Sequence, residues 1–133
     1  MVLDRLFMFG AEISILLFLA ITFLQSGYDK MTDWGGNLAF LKGHFKGTVF
    51  EKPTGLLMGV LLVFEIVAGI MLLLSIYTIL AYGIKYFAHG SLMISALTFV
   101  FLLTGQRIAK DYAGAMTIAV YFTINVIGLF LLQ

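Results

Sequence analysis

Apolar residues gather in four long stretches, roughly Leu6–Ser26, Gly55–Tyr77, Phe87–Gly105 and Tyr112–Leu132. A helix that crosses a bilayer needs about 20 mostly apolar residues, and each stretch is close to that length. Glycine and charge mark the gaps. Gly83, Ile84 and Lys85, with His89 and Gly90, punctuate the passage from the second stretch to the third, and Gly105, Gln106 and Arg107 that from the third to the fourth. Strands of a membrane barrel would alternate apolar and polar positions, and these stretches do not. The first is long, has no small-residue cleavage pattern and holds Glu12, so it reads as a span rather than a cleaved leader. The pattern predicts an all-α integral membrane protein, a single transmembrane domain over residues 1–133. Its architecture is a four-helix bundle with an interfacial loop or short helix between helices one and two.

That loop runs from Gly27 to Thr54 and holds the only Trp and the only Pro of the chain. Trp34, Phe40, Phe45 and Phe50 are interleaved with Lys42, Lys46 and Lys52. Rings at the headgroup level and ammonium groups in water are the signature of an interfacial segment. A short helix over Asn37–Phe45 lying along the surface is expected, as a cap over the bundle or, in a sharper reading, as a lid or docking surface.

Helical periodicity gives each span one face of small or polar residues. On the fourth span Gly114, Thr117, Tyr121, Asn125 and Gly128 share a stripe, and on the third Ser91, Ser95, Thr98 and Gly105 do. On the second, Gly55 and Gly59 form a GxxxG, with Gly69 near Glu65. On the first, Arg5, Met8, Glu12, Leu19 and Ser26 align. Lipid is as apolar as leucine, so helices associate in it through close backbone approach and interhelical hydrogen bonds. The stripes are therefore expected to face one another.

Composition agrees. Of 133 residues 62% are hydrophobic and 11% charged, against about 25% charged in a soluble domain. A net charge of +1 gives no case for nucleic acid as a partner. Cysteine is absent, which removes thiol redox chemistry and cysteine-held metals or haem. His44 and His89 fall in loops on opposite sides of the membrane, so no metal site and no triad is expected. Lys30, Lys42, Lys46, Lys52, Arg107 and Lys110 lie on the long-loop side, against Arg5 and Lys85 on the side of the termini. The excess of positive charge inside then places both termini outside, in the periplasm of a bacterial inner membrane.

Two groups of residues are the candidate sites. Glu12, Glu65, Thr98, Tyr121 and Asn125 are the polar residues deep in the spans and are expected to converge in the bundle. A carboxylate at the bilayer centre costs several kcal/mol unless protonated or partnered. The cluster is either a hydrogen-bond network that locks the helices, with Glu65 as a neutral strut, or a polar site for a quinone headgroup, a small solute or a proton. No second charge is evident at the depth of Glu65. The other group, at the long-loop side, is Lys30, Asp33, Trp34, Arg107 and Asp111. Arg107 and Asp111 are four apart and can pair on a helix. A salt-bridge network anchoring the loop is preferred here to a site for a lipid phosphate or an anionic solute. No catalytic residue is assigned.

Gly27, Tyr28, Asp29 and Lys30 after the first span resemble the G-x-x-K of the DoxX-like family of four-span bacterial membrane proteins. Phe64, Glu65, Ile66, Val67, Ala68 and Gly69 resemble its E-x-x-x-G in helix two. Two features depart from the family: Arg5 stands at the outer edge of helix one, where the family often has an Arg well inside, and a later glycine of helix two is replaced by a region ending in Ser75. The resemblance implies an association with membrane redox or stress systems, with relatives that include a subunit of thiosulfate:quinone oxidoreductase. The small-residue stripes, the apolar outer faces and the aromatic loop lead us to expect a non-catalytic accessory subunit partnered by other membrane-protein subunits, with no intrinsic cofactor beyond a quinone or a lipid. The alternatives are a quinone- or solute-binding subunit and an oligomeric small transporter.

Overall fold

The computed structural model describes residues 1–133 and is all helix and turn. Its elements are α1 (Val2–Met8), α2 (Gly10–Thr32), α3 (Trp34–His44), α4 (Thr54–Tyr82), α5 (Tyr86–Ile108) and α6 (Tyr112–Leu131). α2, α4, α5 and α6 are each long and apolar enough to cross a membrane. They form a ring in which α2 packs on α4, α4 on α5, α5 on α6 and α6 back on α2. The core is a column of Leu16, Leu19, Phe23, Leu72, Leu92 and Phe99, with large apolar side chains such as Phe101, Val120 and Phe130 left exposed outside. Greasy outer faces are what a lipid-embedded bundle requires.

The start of the chain differs from the apolar pattern. The run from Leu6 is broken at Phe9 (φ −111°, ψ 30°), which ends α1 and precedes α2. Arg5 explains the side trip: its guanidinium donates to the carbonyls of Leu80 (3.0 Å) and Ala81 (2.5 Å) at the end of α4. Those carbonyls have no partner within their own helix, and a cation is favoured at the negative end of a helix. α4 then stops on Gly83, whose positive φ of 70° lets the amides of Gly83 and Ile84 bond back to Ile79 and Thr78.

Close packing of α2 on α4 rests on two reciprocal glycines. Gly27 leaves room for the side chain of Ile66, and Gly69 for that of Leu24, so each helix offers a gap to a branched residue of the other. The Gly55 and Gly59 pair of α4 does not face another span as expected. Gly59 receives the Trp34 ring and Gly55 lies under Leu38, so this motif seats α3. α4 and α5 are tied by the hydroxyls of Ser75 and Ser91, 2.6 Å apart, and Ser91 also reaches the carbonyl of Met71. α5 and α6 are tied by Asn125, whose amide donates to the carbonyl of Leu92 (2.9 Å). Gly128 lies against Ile15 and Leu92 at the same level.

Candidate functional site

Ser26 and Lys30 are four residues apart on α2 and so share one face. Opposite them stands Glu65 of α4, 1% exposed. Lys30 Nζ donates to Ser26 Oγ (2.8 Å) and to Glu65 Oε2 (3.1 Å), and Ser26 Oγ donates to Glu65 Oε1 (3.0 Å). The three groups form a closed, charge-balanced knot. The sequence pattern puts Lys30 in the loop and in the interfacial group; the structure keeps it inside α2, which runs on to Thr32, and joins it to the intramembrane group. The charge missing from the depth of Glu65 is thus supplied by a long side chain whose root lies nearer the surface.

This knot lies in the wall of a cavity of 470 Å³. α2 and α6 meet low in the bundle, where Ile15 touches Gly128 and the rings of Phe18 and Tyr121 stand edge to face at 5.9 Å. Toward the long-loop side they part, and the cavity occupies the gap, with Ile21, Gln25 and Asp29 of α2 exposed on its rim. Phe23, Phe99, Ile118 and Tyr121 form its apolar floor. Lys30, Glu65 and Gln106 supply polarity above, and Asn37, Phe40 and Leu41 of α3 close the top. A concave, mostly apolar space of this size with a few convergent polar groups has the anatomy of a small-molecule site.

The expected five-residue cluster does not assemble. Glu65 and Tyr121 line the cavity, whereas Thr98 bonds back to Ile94 of its own helix and Asn125 serves the α5–α6 contact. Glu12 sits half-buried near the start of α2, toward the opposite end of the bundle from Ser26 and its partner Glu65. The reason is geometric: periodicity places a residue on a face, but the partner helix and its axial offset decide whom it meets. Asn125 Oδ1 is buried without a hydrogen-bond partner.

At the long-loop side, Asp33 and Asp111 are both helix caps. Asp33 Oδ1 accepts from the amide of Gly36 (3.2 Å) at the start of α3, and Asp111 Oδ1 from that of Gly114 (2.9 Å) at the start of α6. This replaces the expected Arg107–Asp111 pair. α5 ends at Ile108, Lys110 takes a positive φ of 60°, and the chain turns between the two residues. Arg107 instead stacks over the ring of Tyr112 at 4.9 Å. Trp34 is spent on Gly59. Pattern reading missed His44 and Gln106, whose Nε2 and Oε1 are 3.2 Å apart, with Asp111 Oδ2 at 3.8 Å from the imidazole. They fix the end of α3 to α5 and α6. It also missed Ser26 as a partner of Glu65, although the four-residue spacing from Ser26 to Lys30 was the signal for it.

A family model described as DoxX matches residues 15–104. The match takes in both halves of the Lys30–Glu65 knot and all of α3 and α4, and ends before Gln106 and α6. No curated protein and no solved structure matches the chain.

Proposed function

The chain belongs to the DoxX family of integral membrane proteins, and from that premise we propose that it is a non-catalytic subunit of a larger membrane redox complex, holding the polar head of a lipid-phase molecule of the quinone kind. One observation carries this reading: the Lys30–Glu65 ion pair borders open space. A buried pair gains little as a mere tie between two helices, because each charge loses hydration on burial and an apolar contact of similar size would hold them as well. Here the pair faces 470 Å³ beside the exposed rim residues Ile21 and Gln25, at a gap between two helices whose outer faces meet lipid. The Lys30 ammonium group is a donor suited to a carbonyl oxygen of a quinone ring, and Phe23, Phe99 and Tyr121 offer it flat apolar contact. A partner would supply any thiol or iron–sulfur chemistry, since this chain carries no cysteine. The excess of lysine and arginine on the α3 side favours a cytoplasmic position for that side in a bacterial inner membrane, with both termini periplasmic.

The test is to isolate the protein from its native membrane in lipid nanodiscs and quantify extracted quinone and co-purifying subunits by mass spectrometry. Quinone in near one-to-one amount, absent from the Lys30→Met, Glu65→Leu double variant, is the expected result. Equal quinone in both preparations, or none in either, sinks the reading.

A further inference from the structure

A second cavity, of 350 Å³, lies on the other side of the bundle between the α4 and α5 helices, beneath Phe45 and Phe50. It is nearly all apolar, and Val60, Phe101 and Thr104 on its outer edge are exposed. The two cavities share four wall residues: Leu41 of α3, Leu61 of α4, and Leu102 and Gln106 of α5. Each of the four keeps accessible surface, so none is locked into the core. Three leucines and one amide thus border both a cavity with a charged pair and one with none.

We propose that the two cavities are one bipartite site, in which a ligand whose head sits at Ser26, Lys30 and Glu65 lays its hydrocarbon chain past Leu41, Leu61 and Leu102 into the second cavity, beneath α3. The inference rests on the head-group reading of the first cavity and narrows the ligand class to a head with a long isoprenoid or acyl chain, excluding a compact polar solute. Leucine side chains on a partly accessible wall change rotamer readily, which opens a way past them at little cost. The chain arrives from lipid, so its transfer brings packing contacts rather than a hydrophobic gain. What the second cavity adds is placement: a chain lying under α3 fixes the head against the ion pair, whereas a chain left in the gap between α2 and α6 leaves the head free to withdraw.

The position of the chain is therefore the quantity to measure. The probe is a benzoquinone with a ten-carbon chain ending in a diazirine, photolysed with the full-length protein in nanodiscs, beside the same ring without a chain as competitor. Crosslinks from the chain end to α4 and α5 residues of the second cavity, such as Leu57 and Phe101, are expected. Leu57→Trp, which fills that cavity, should shift the crosslinks to Ile21 and Ile118 and weaken the chained probe about tenfold, while the chainless ring competes as before. Crosslinks at Ile21 and Ile118 in the unaltered protein, with the ring still protected by Lys30 and Glu65, overturn the bipartite site and leave the head-group reading standing. Failure of both the chained probe and the chainless ring to bind overturns the head-group reading and, with it, this one.

Discussion

Lys30 and Glu65 meet at 3.1 Å across the α2–α4 contact, one from the last turn of its helix and the other from the fourth turn of its own. The two ends of this pair are unequal. Glu65 is rooted in the bundle, while Lys30 has a four-carbon stem and a route to the surface.

Breaking the pair should therefore be asymmetric. Lys30→Met strands a carboxylate in the bundle and is expected to cost about 3 kcal/mol or more. Glu65→Gln keeps an acceptor for Ser26 and lets Lys30 turn outward, so its loss should be smaller, about 1 kcal/mol. The double change Lys30→Met, Glu65→Leu removes both charges and should come within about 1 kcal/mol of the unaltered protein. Thermal unfolding of the unaltered protein, Lys30→Met, Glu65→Leu and the double variant in one detergent gives the cycle, with Glu65→Gln measured beside it. Additive losses in the double variant would contradict the closed knot.

The glycines separate by what lies over them. A methyl at Gly69 would run into the Cγ and Cδ2 of Leu24, close to its backbone, and Gly69→Ala should cost about 1–3 kcal/mol. Gly27→Ala meets mainly the flexible end of Ile66 and should cost less. Gly90, in α5, has nothing within 4 Å, so Gly90→Ala should be neutral or stabilise by about 0.5–1 kcal/mol. Parallel melting curves order the three, and equal losses would contradict the packing described for α2 and α4.

Arg5 holds α1 to the end of α4 and nothing else does so by hydrogen bond across that contact. Arg5→Gln should speed amide exchange over residues 2–8 and 80–84 while leaving the protection of α5 and α6 unchanged. The loss of charge-assisted bonds to those carbonyls should amount to about 1.5–3 kcal/mol locally. Hydrogen exchange read by mass spectrometry resolves this directly.

Asp111→Ala removes the cap of α6 and the carboxylate nearest His44 in one step, and should cost about 1 kcal/mol or slightly more. Asp33→Ala removes only the cap of α3. Its effect should appear as faster exchange in residues 34–37, with little change in global melting.

A chain without cysteine is a clean background for topology. Val49→Cys reports on the long-loop side and Gln133→Cys on the side of the termini. With whole cells and a membrane-impermeant maleimide, Gln133→Cys should label and Val49→Cys should label only after the membrane is opened. The reverse pattern would invert the orientation.

The spans were legible because lipid demands long apolar windows, and four of them stand out in this sequence. The helix ends were not. The apolar run falls off near Ser26, but α2 continues to Thr32 because Glu65 lets Lys30 stay inside the bundle. The break at Phe9 has no proline to announce it, and its cause, Arg5 reaching α4, lies 75 residues away in sequence. The stripes marked inward faces correctly for Ser91, Ser95 and Asn125, which are fully buried. They left undetermined which element each stripe meets: Gly55 and Gly59 took α3, and Glu12 took no part in the cavity. Hence two of the five polar residues of the candidate site, Glu65 and Tyr121, could be placed there from periodicity. The other three, Ser26, Lys30 and Gln106, needed the axial register between helices.

α4 has 29 residues and α6 has 20, about 43 Å of helix against about 30 Å at 1.5 Å per residue. A bilayer core is about 30 Å thick, so α6 fits it and α4 overhangs or leans. Both overhangs are in use: Gly55 and Gly59 at one end carry α3, and Leu80 and Ala81 at the other carry α1 through Arg5. α4 is thus a spar whose length fixes the spacing between the protein's two headgroup-level fittings. Because one helix carries both, α3 over the ion-pair cavity and α1 at the opposite end are held at a set distance from each other.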